Sequence, residues 1–307
     1  MGTGIVSTDL ALAGWRDLSL ALLWVTVAVW AVLVAGVAAR LASDRRAVAR
    51  DARTPMSLTT VAGTCVLGTR VSMENHHALA AALLAGAALA WAPLLAAVLR
   101  AWRRPVEGDG FLVVVATQGL AVLAAVLAPR LGIALGYVAL AALVAGLGLY
   151  VFAVASFAVA ELVRGRGDQW IAGGALAIST LAAAEISRAL GSGVLRTLAV
   201  VLWAVAVAWL LVLVAGEARR PWTGFDARRW ATVFPLGMYA AMSFALAEVS
   251  GHAWLAHAAK AWTPVASAVW LLVAAATVRL LARLPRRASR RRDASRPRGA
   301  HRRDARV

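Results

Sequence analysis

Cysteine and acidic residues are scarce in this sequence, and their scarcity excludes several classes of protein. Cys65 is the only cysteine, so the chain can form no internal disulfide and no multi-cysteine metal site. Only 15 Asp and Glu residues stand against 32 Lys and Arg. The sequence contains no Walker loop, zinc-protease motif or nucleophile elbow. We therefore predict neither an enzyme nor a protein with a bound metal or cofactor.

Apolar residues, by contrast, are abundant. They make up 62% of the chain, and the mean hydropathy is +0.75. Soluble globular domains contain roughly 45–50% apolar residues. Lipid tolerates apolar surface on every side of a helix, so the composition predicts an all-α, polytopic membrane protein.

Long apolar runs divide the chain into ten segments, each a candidate membrane helix, since a helical span needs about 20 apolar residues. They cover 1–13, 17–42, 57–73, 76–101, 109–127, 133–163, 167–190, 195–216, 227–250 and 262–284. The first is too short to span a membrane alone. Either the native start lies upstream of Met1, which we favour, or this helix is partial. We expect a transmembrane domain over 1–284 and a basic, disordered cytoplasmic tail over 285–307.

The basic residues alternate between the two sides of these segments. The loops after segments 2, 4, 6 and 8, together with the tail, carry all of the 32 basic residues except six. The six are Arg16, Arg70, Arg130, Arg188, Arg196 and Lys260. Because cytoplasmic loops are rich in Lys and Arg, we predict a bacterial inner-membrane protein with both termini in the cytoplasm. The basic charge follows the loops, so we expect no nucleic-acid partner.

A second alternation concerns polar side chains. Ser, Thr, Gln and Asn are about three times denser in the odd-numbered segments than in the even-numbered ones. Polar side chains are costly in lipid and turn toward protein or water. We therefore expect the odd segments to form an inner ring and the even segments to face lipid, with a helical hairpin used five times. Either the inner helices enclose a pore, or their small and polar residues only pack a solid bundle.

A pore of this kind would contain few fixed charges. Gln118 lies near the middle of its segment, whereas Asp9, Glu185 and Glu248 lie near segment ends. Cation pathways use rings of carboxylates, whereas anions favour hydroxyl and amide donors with positive flanks. The pattern therefore favours small inorganic or organic anions as partners, besides the lipid bilayer.

Four strings resemble the tellurite-resistance/C4-dicarboxylate transporter family, whose superfamily includes the slow anion channels of plant guard cells. They are MGTGIVST at 1–8, TTVAGTCVLGTRV at 59–71, VVVATQGLAVLAA at 113–125 and RRWATVFPLGMYAAMSFALAE at 228–248. The resemblance implies ten transmembrane helices, arranged as five helical hairpins around a central pore, and a homotrimer. It also implies that Phe234 plugs the pore midway. Beside it, Pro235 lacks an amide donor and is expected to kink the helix, while Gly237 leaves space.

Other residues of the inner segments are expected to act in transport. The predicted pore-lining residues are Thr3, Gly4, Thr60, Gly63, Thr64, Thr117, Gln118, Ser179 and Thr180. Glu185 and Arg188 are spaced to form an ion pair at a helix end, and Glu248 lies one turn from His252. The alternative function is a proton-coupled permease for C4-dicarboxylates or tellurite-like oxyanions, in which Glu185 or Glu248 carries the proton.

Overall fold

The structure of the chain is all-α. The computed structural model describes residues 1–164, 167–219 and 226–294. Arg166, Arg220 and residues 295–307, which the sequence assigns to the cytoplasmic side, lie outside the described residues.

Twelve α-helices occupy the described ranges. They are α1 Gly2–Leu12, α2 Arg16–Ser43, α3 Arg45–Asp51, α4 Thr59–Met73, α5 His77–Arg100, α6 Leu112–Leu131, α7 Ala134–Val154, α8 Glu161–Arg164, α9 Trp170–Leu190, α10 Gly193–Arg219, α11 Trp230–Ser250 and α12 Ala253–Ala294. Apart from the short α3 and α8, they follow the ten predicted segments in order. Among the described residues, eight helices are long and apolar enough to cross a membrane, whereas α1 and α4 are shorter, with 11 and 15 residues.

The last helix differs from its prediction at both ends. It begins at Ala253 and continues to Ala294, whereas the predicted segment covers 262–284. Residues 285–294, which the sequence analysis assigns to a disordered tail, are therefore helical. Arg and Ala are good helix formers, so a basic composition does not by itself end a helix.

Five tight turns join consecutive helices into packed pairs. The pairs are α1 with α2, α4 with α5, α6 with α7, α9 with α10, and α11 with α12. Each turn contains one residue with positive φ, namely Gly14, Asn75, Gly132, Gly191 and Gly251. Gly and Asn adopt this left-handed conformation at low cost and commonly end helices. The same local device therefore recurs at every hairpin.

One helix of each pair is buried and the other is exposed. The helices α1, α4, α6, α9 and α11, here called the inner helices, contact one another in cyclic order, and α1 contacts both α4 and α11. The spans over Gly108–Leu131, Trp170–Leu190 and Ala227–Ser250 are 94%, 94% and 89% buried. The spans of the outer helices α2, α5, α7, α10 and α12 are only 11–22% buried. This division agrees with the alternation of polar residues in the sequence.

Indole groups link four of the five hairpins to the next hairpin in the cycle. In each case an outer-helix Trp Nε1–H donates to a hydroxyl of the following inner helix. The bonds run from Trp30 to Thr64 (2.9 Å), Trp91 to Thr117 (2.9 Å), Trp203 to Ser243 (3.0 Å) and Trp270 to Thr3 (3.1 Å). Between α7 and α9 no such bond occurs in the described residues, since α7 contains no Trp.

A buried arginine joins the first two hairpins. Arg70 of α4 is fully buried, and its Nη1 donates to Glu74 Oε1 at 2.7 Å. Its Nη2 donates to Ser19 Oγ at 2.8 Å and its Nε to Ser7 Oγ at 3.2 Å. A buried guanidinium is stable only when its charge and its N–H groups are paired. Arg70 therefore stabilises the packing of α1, α2 and α4. In this it differs from the basic residues of the loops.

Candidate functional site

Two cavities lie between the inner helices. The smaller has a volume of about 30 Å³ and the larger about 150 Å³. All five inner helices contribute residues to each cavity. Thr8 of α1, Thr69 of α4, Val122 of α6 and Leu181 of α9 line both cavities, so the two are adjacent.

The smaller cavity is almost entirely apolar. Besides the shared residues, its walls are Ile5, Cys65, Val66, Gly119, Ile178 and Met238. Cys65 is a buried free thiol, and a Cβ added at Gly119 would lie 3.2 Å from its Cβ atom. Cys65 thus fits the role of a small packing residue. A cavity with such walls offers few polar groups to hold a hydrated ion.

The larger cavity ends in a cluster of charged residues, which we call the mouth: Glu185 and Arg188 of α9 and Glu248 of α11. Arg188 Nη2 donates to Glu185 Oε2 in a short contact. Its Nη1 donates to Glu248 Oε2 at 3.4 Å. The predicted pair of Glu185 and Arg188 is therefore present. Glu248, which the sequence places near His252, instead has Arg188 of the neighbouring helix as its partner.

The aromatic-proline string lies in the buried part of α11. Phe234 is 3% exposed. A Cβ added at Gly174 of α9 would be 2.8 Å from Pro235 Cγ, and one added at Gly237 would be 2.7 Å from Ile5 Cγ2 of α1. α11 is helical through Pro235. This string therefore packs between α1 and α9.

Three of the predicted pore-lining hydroxyls bond to outer helices. Thr3, Thr64 and Thr117 accept the indole hydrogen bonds described above. Thr64 and Thr117 also donate to carbonyls four residues earlier in their own helices, as Ser and Thr commonly do in helices. These hydroxyls therefore contribute to packing between hairpins, and neither cavity is lined by them.

The other six predicted pore-lining residues are likewise absent from the walls of both cavities. Ser179 and Thr180 are buried and donate to carbonyls of α9 itself. Gln118 Nε2 donates to the Leu143 carbonyl of α7 at 3.2 Å. Gly4 packs against Val66, Gly63 lies near Met1, and Thr60 is exposed.

Three wall residues of α11 that the sequence pattern did not indicate share a simple spacing with Glu248, which it did. Met238, Ala241, Ala245 and Glu248 recur every three or four residues, and all four line a cavity. Residues at this spacing lie on one face of a helix. A search for such a face in register with Glu248 could have found them, whereas a count of hydroxyl groups could not.

A comparison with models of known protein families assigns the chain to one of them. The family model described as SLAC1, voltage-dependent anion channel, matches residues 1–278. The chain belongs to the voltage-dependent anion channel family. This match confirms the resemblance to the tellurite-resistance/C4-dicarboxylate transporter family. No curated protein matches the chain.

Membership of the voltage-dependent anion channel family defines the general function. Such proteins are anion channels or transporters in membranes and are not enzymes. The eight apolar helices of suitable length agree with a membrane protein. The family assignment and the fold thus place the two cavities between the most buried helices of an anion transport protein.

Proposed function

We propose that this protein conducts small anions through a lumen on the common axis of its five inner helices, with Phe234 as the gate. In this arrangement the ten helices form five hairpins around a central pore. The observation that carries the proposal is that both cavities are lined by all five inner helices.

The helical register of α11 supports a position of Phe234 on this axis. Met238, Ala241, Ala245 and Glu248 line the cavities on one face of α11. Phe234 precedes Met238 by four residues, which is one helical turn. Its side chain therefore belongs to the same face, one turn beyond the smaller cavity.

The contacts on either side of Phe234 agree with this register. Gly237 packs against α1, Pro235 packs against α9, and the Tyr239 hydroxyl donates to the Ala206 carbonyl of the outer helix α10. Successive residues of a helix are turned by about 100°. A side chain at Phe234 then points between α1 and α9 and away from the outer helices.

An aromatic ring at this level would act as a hydrophobic gate. Apolar constrictions stop ions because water leaves them. The neighbouring residues on the axis are also apolar, including Ile5, Ile178 and Met238. Rotation of the Phe234 ring away from the axis would then be needed before a hydrated anion passes.

The test is an electrical recording on purified protein in lipid bilayers, with nitrate or chloride as the permeant anion. We expect Phe234→Ala to increase the anion current at least tenfold. The matched control is Phe111→Ala, because Phe111 is also a buried phenylalanine but lines neither cavity. This control should leave the current close to that of the natural protein. Equal currents in the natural protein and Phe234→Ala would refute the gate. The absence of anion current in the natural protein, in Phe234→Ala and in the control variant would refute conduction.

The second candidate is a proton-coupled permease for C4-dicarboxylates or tellurite-like oxyanions. It is favoured by the two carboxylates of the mouth, Glu185 and Glu248, which line the larger cavity. Uptake of labelled succinate into proteoliposomes would then follow an imposed proton gradient and lose that dependence in Glu185→Gln or Glu248→Gln. Passive anion current unaffected by the gradient would favour the channel.

We further propose a bacterial inner-membrane location with both termini in the cytoplasm, and a homotrimer. The arginine-rich loops support the orientation, and the family resemblance supports the trimer. Labelling of a single added surface cysteine from one side of intact cells tests the orientation. The mass of the complex in native mass spectrometry tests the trimer.

A further inference from the structure

The mouth combines one guanidinium group with two carboxylates. Arg188 is the only basic residue among those lining either cavity, and 47% of its side chain is exposed. The mouth lies toward the carboxyl ends of the inner helices, where the helix dipoles are negative. An anion entering here meets a negative field from these dipoles and from Glu185 and Glu248. Arg188 is therefore the group at the mouth that can hold an anion.

The two carboxylates hold Arg188 unequally. The contact with Glu185 is short, and only 11% of the Glu185 side chain is exposed. The contact with Glu248 is 3.4 Å long, and 54% of the Glu248 side chain is exposed. Exposed ion pairs contribute little because water and salt screen them. Glu248 is thus the weaker and more accessible of the two partners, on the Nη1 side of the guanidinium.

We propose that Arg188 is a binding site for planar oxyanions, such as carboxylates or nitrate, and that an anion from solution displaces Glu248 to reach it. A guanidinium presents parallel N–H donors that match the two oxygens of such an anion. Glu185 keeps its own bond and orients Arg188 toward the cavity. The Glu248 carboxylate then competes with the anion for the same N–H donors of Arg188. This proposal deepens the proposed anion transport and gives it an entry site.

Beyond Arg188, an anion moving toward the smaller cavity passes the residues that line both cavities. Thr8 and Thr69 line both the larger cavity and the smaller one. The Thr8 hydroxyl donates to the Gly4 carbonyl of its own helix at 3.1 Å, so the Thr69 hydroxyl is the one that can donate to an anion leaving Arg188. The site would therefore collect anions at the mouth and release them toward the apolar constriction.

The test uses binding and transport on the same variants. Binding is measured on purified protein in detergent as the concentration-dependent line broadening of ¹³C-formate in NMR. Transport is measured as the half-saturating formate concentration for current in bilayers. The matched controls are Arg196→Gln and Asp17→Asn, which remove an exposed cation and an exposed anion that line neither cavity.

We expect Glu248→Gln to lower the half-saturating formate concentration about fivefold, both for binding in NMR and for current. This change corresponds to about 1 kcal/mol. Arg188→Gln should abolish the specific broadening, Arg188→Lys should retain part of it, and the two controls should match the natural protein. Unchanged broadening in Arg188→Gln, or weaker binding in Glu248→Gln, would overturn the site. Formate binding that depends on Arg188 without any current would instead overturn the proposed transport and leave the site standing.

Discussion

Gly237 of α11 lies directly against Asp9 of α1. A Cβ atom added at Gly237 would be 2.9 Å from Asp9 Oδ2 and 2.7 Å from Ile5 Cγ2. Asp9 is fully buried, and neither of its carboxylate oxygens has a hydrogen-bond partner among the described residues. The first inner helix therefore meets the helix of Phe234 at a point where only glycine fits.

Substitution of Gly237 by alanine should destabilise the protein. The added methyl group must displace Ile5 and Asp9, and such overpacking costs about 1–3 kcal/mol. The free energy of unfolding, measured by denaturant titration in detergent micelles, should fall by this amount. The control is Gly86→Ala on the outer helix α5, where no atom lies within 4 Å of the added Cβ. An equal loss in both variants would contradict the close contact.

Replacement of Asp9 by asparagine should be tolerated. The amide has nearly the same shape, and within the described part of the chain the carboxylate has no hydrogen bond to lose. A neutral group is also less costly to bury than a charged one. We expect an unchanged or higher midpoint of thermal unfolding for Asp9→Asn. A drop in unfolding free energy of more than about 1 kcal/mol would show that Asp9 makes a stabilising interaction.

The bond between Trp91 and Thr117 should contribute measurable coupling energy between two hairpins. In membrane proteins such side-chain bonds average about 0.6 kcal/mol, with a maximum near 1.7 kcal/mol. A double-mutant cycle with Trp91→Phe and Thr117→Val should give a coupling within this range. Thr197→Val is the control, because in the described ranges the Thr197 hydroxyl bonds only to the Gly193 carbonyl of its own helix. Additive effects of the two substitutions would argue against the bond.

Loss of Arg70 should be among the most damaging single changes on α4. Arg70→Gln removes the nearer of the two cationic partners of Glu74, the other being the exposed Arg16 at 3.8 Å, and leaves the hydroxyls of Ser7 and Ser19 without their common donor. Breaking a buried ion pair costs about 3–5 kcal/mol, and Glu74 is partly exposed, so we expect about 3 kcal/mol. The yield of folded protein in size-exclusion chromatography should fall. Arg130→Gln, at an exposed position, should leave that yield unchanged.

Much of the fold follows from local features of the sequence. The apolar runs and the left-handed turn residues such as Gly191 and Gly251 mark the hairpins. The density of polar residues separates inner from outer helices, because an outer helix that faces lipid has little use for them. The bounds of α12 cannot be predicted in this way, because its basic residues are compatible with a helix as well as with a disordered tail.

The residues that line the cavities are harder to predict. Polarity identifies an inner helix but not its rotation about its own axis. Thr117 satisfies its donor within α6 and accepts a bond from α5, so its hydroxyl needs no water. Met238 lines a cavity although it is apolar, because contacts of α11 with α1 and α9 set its rotation. The local pair of Glu185 and Arg188 is predictable from spacing, whereas Glu248 joins it only through tertiary packing.

The cyclic order of the inner helices has a consequence for biosynthesis. The hydrogen bond from Trp270 to Thr3 connects residues 267 positions apart. As the ribosome delivers the chain, α1 can first associate only with α2 and α4, and it gains α11 and α12 after nearly everything else has been inserted. A nascent chain that stops before the fifth hairpin would leave α1 with one flank open to lipid. The contacts that complete the cycle therefore depend on synthesis and insertion of the fifth hairpin.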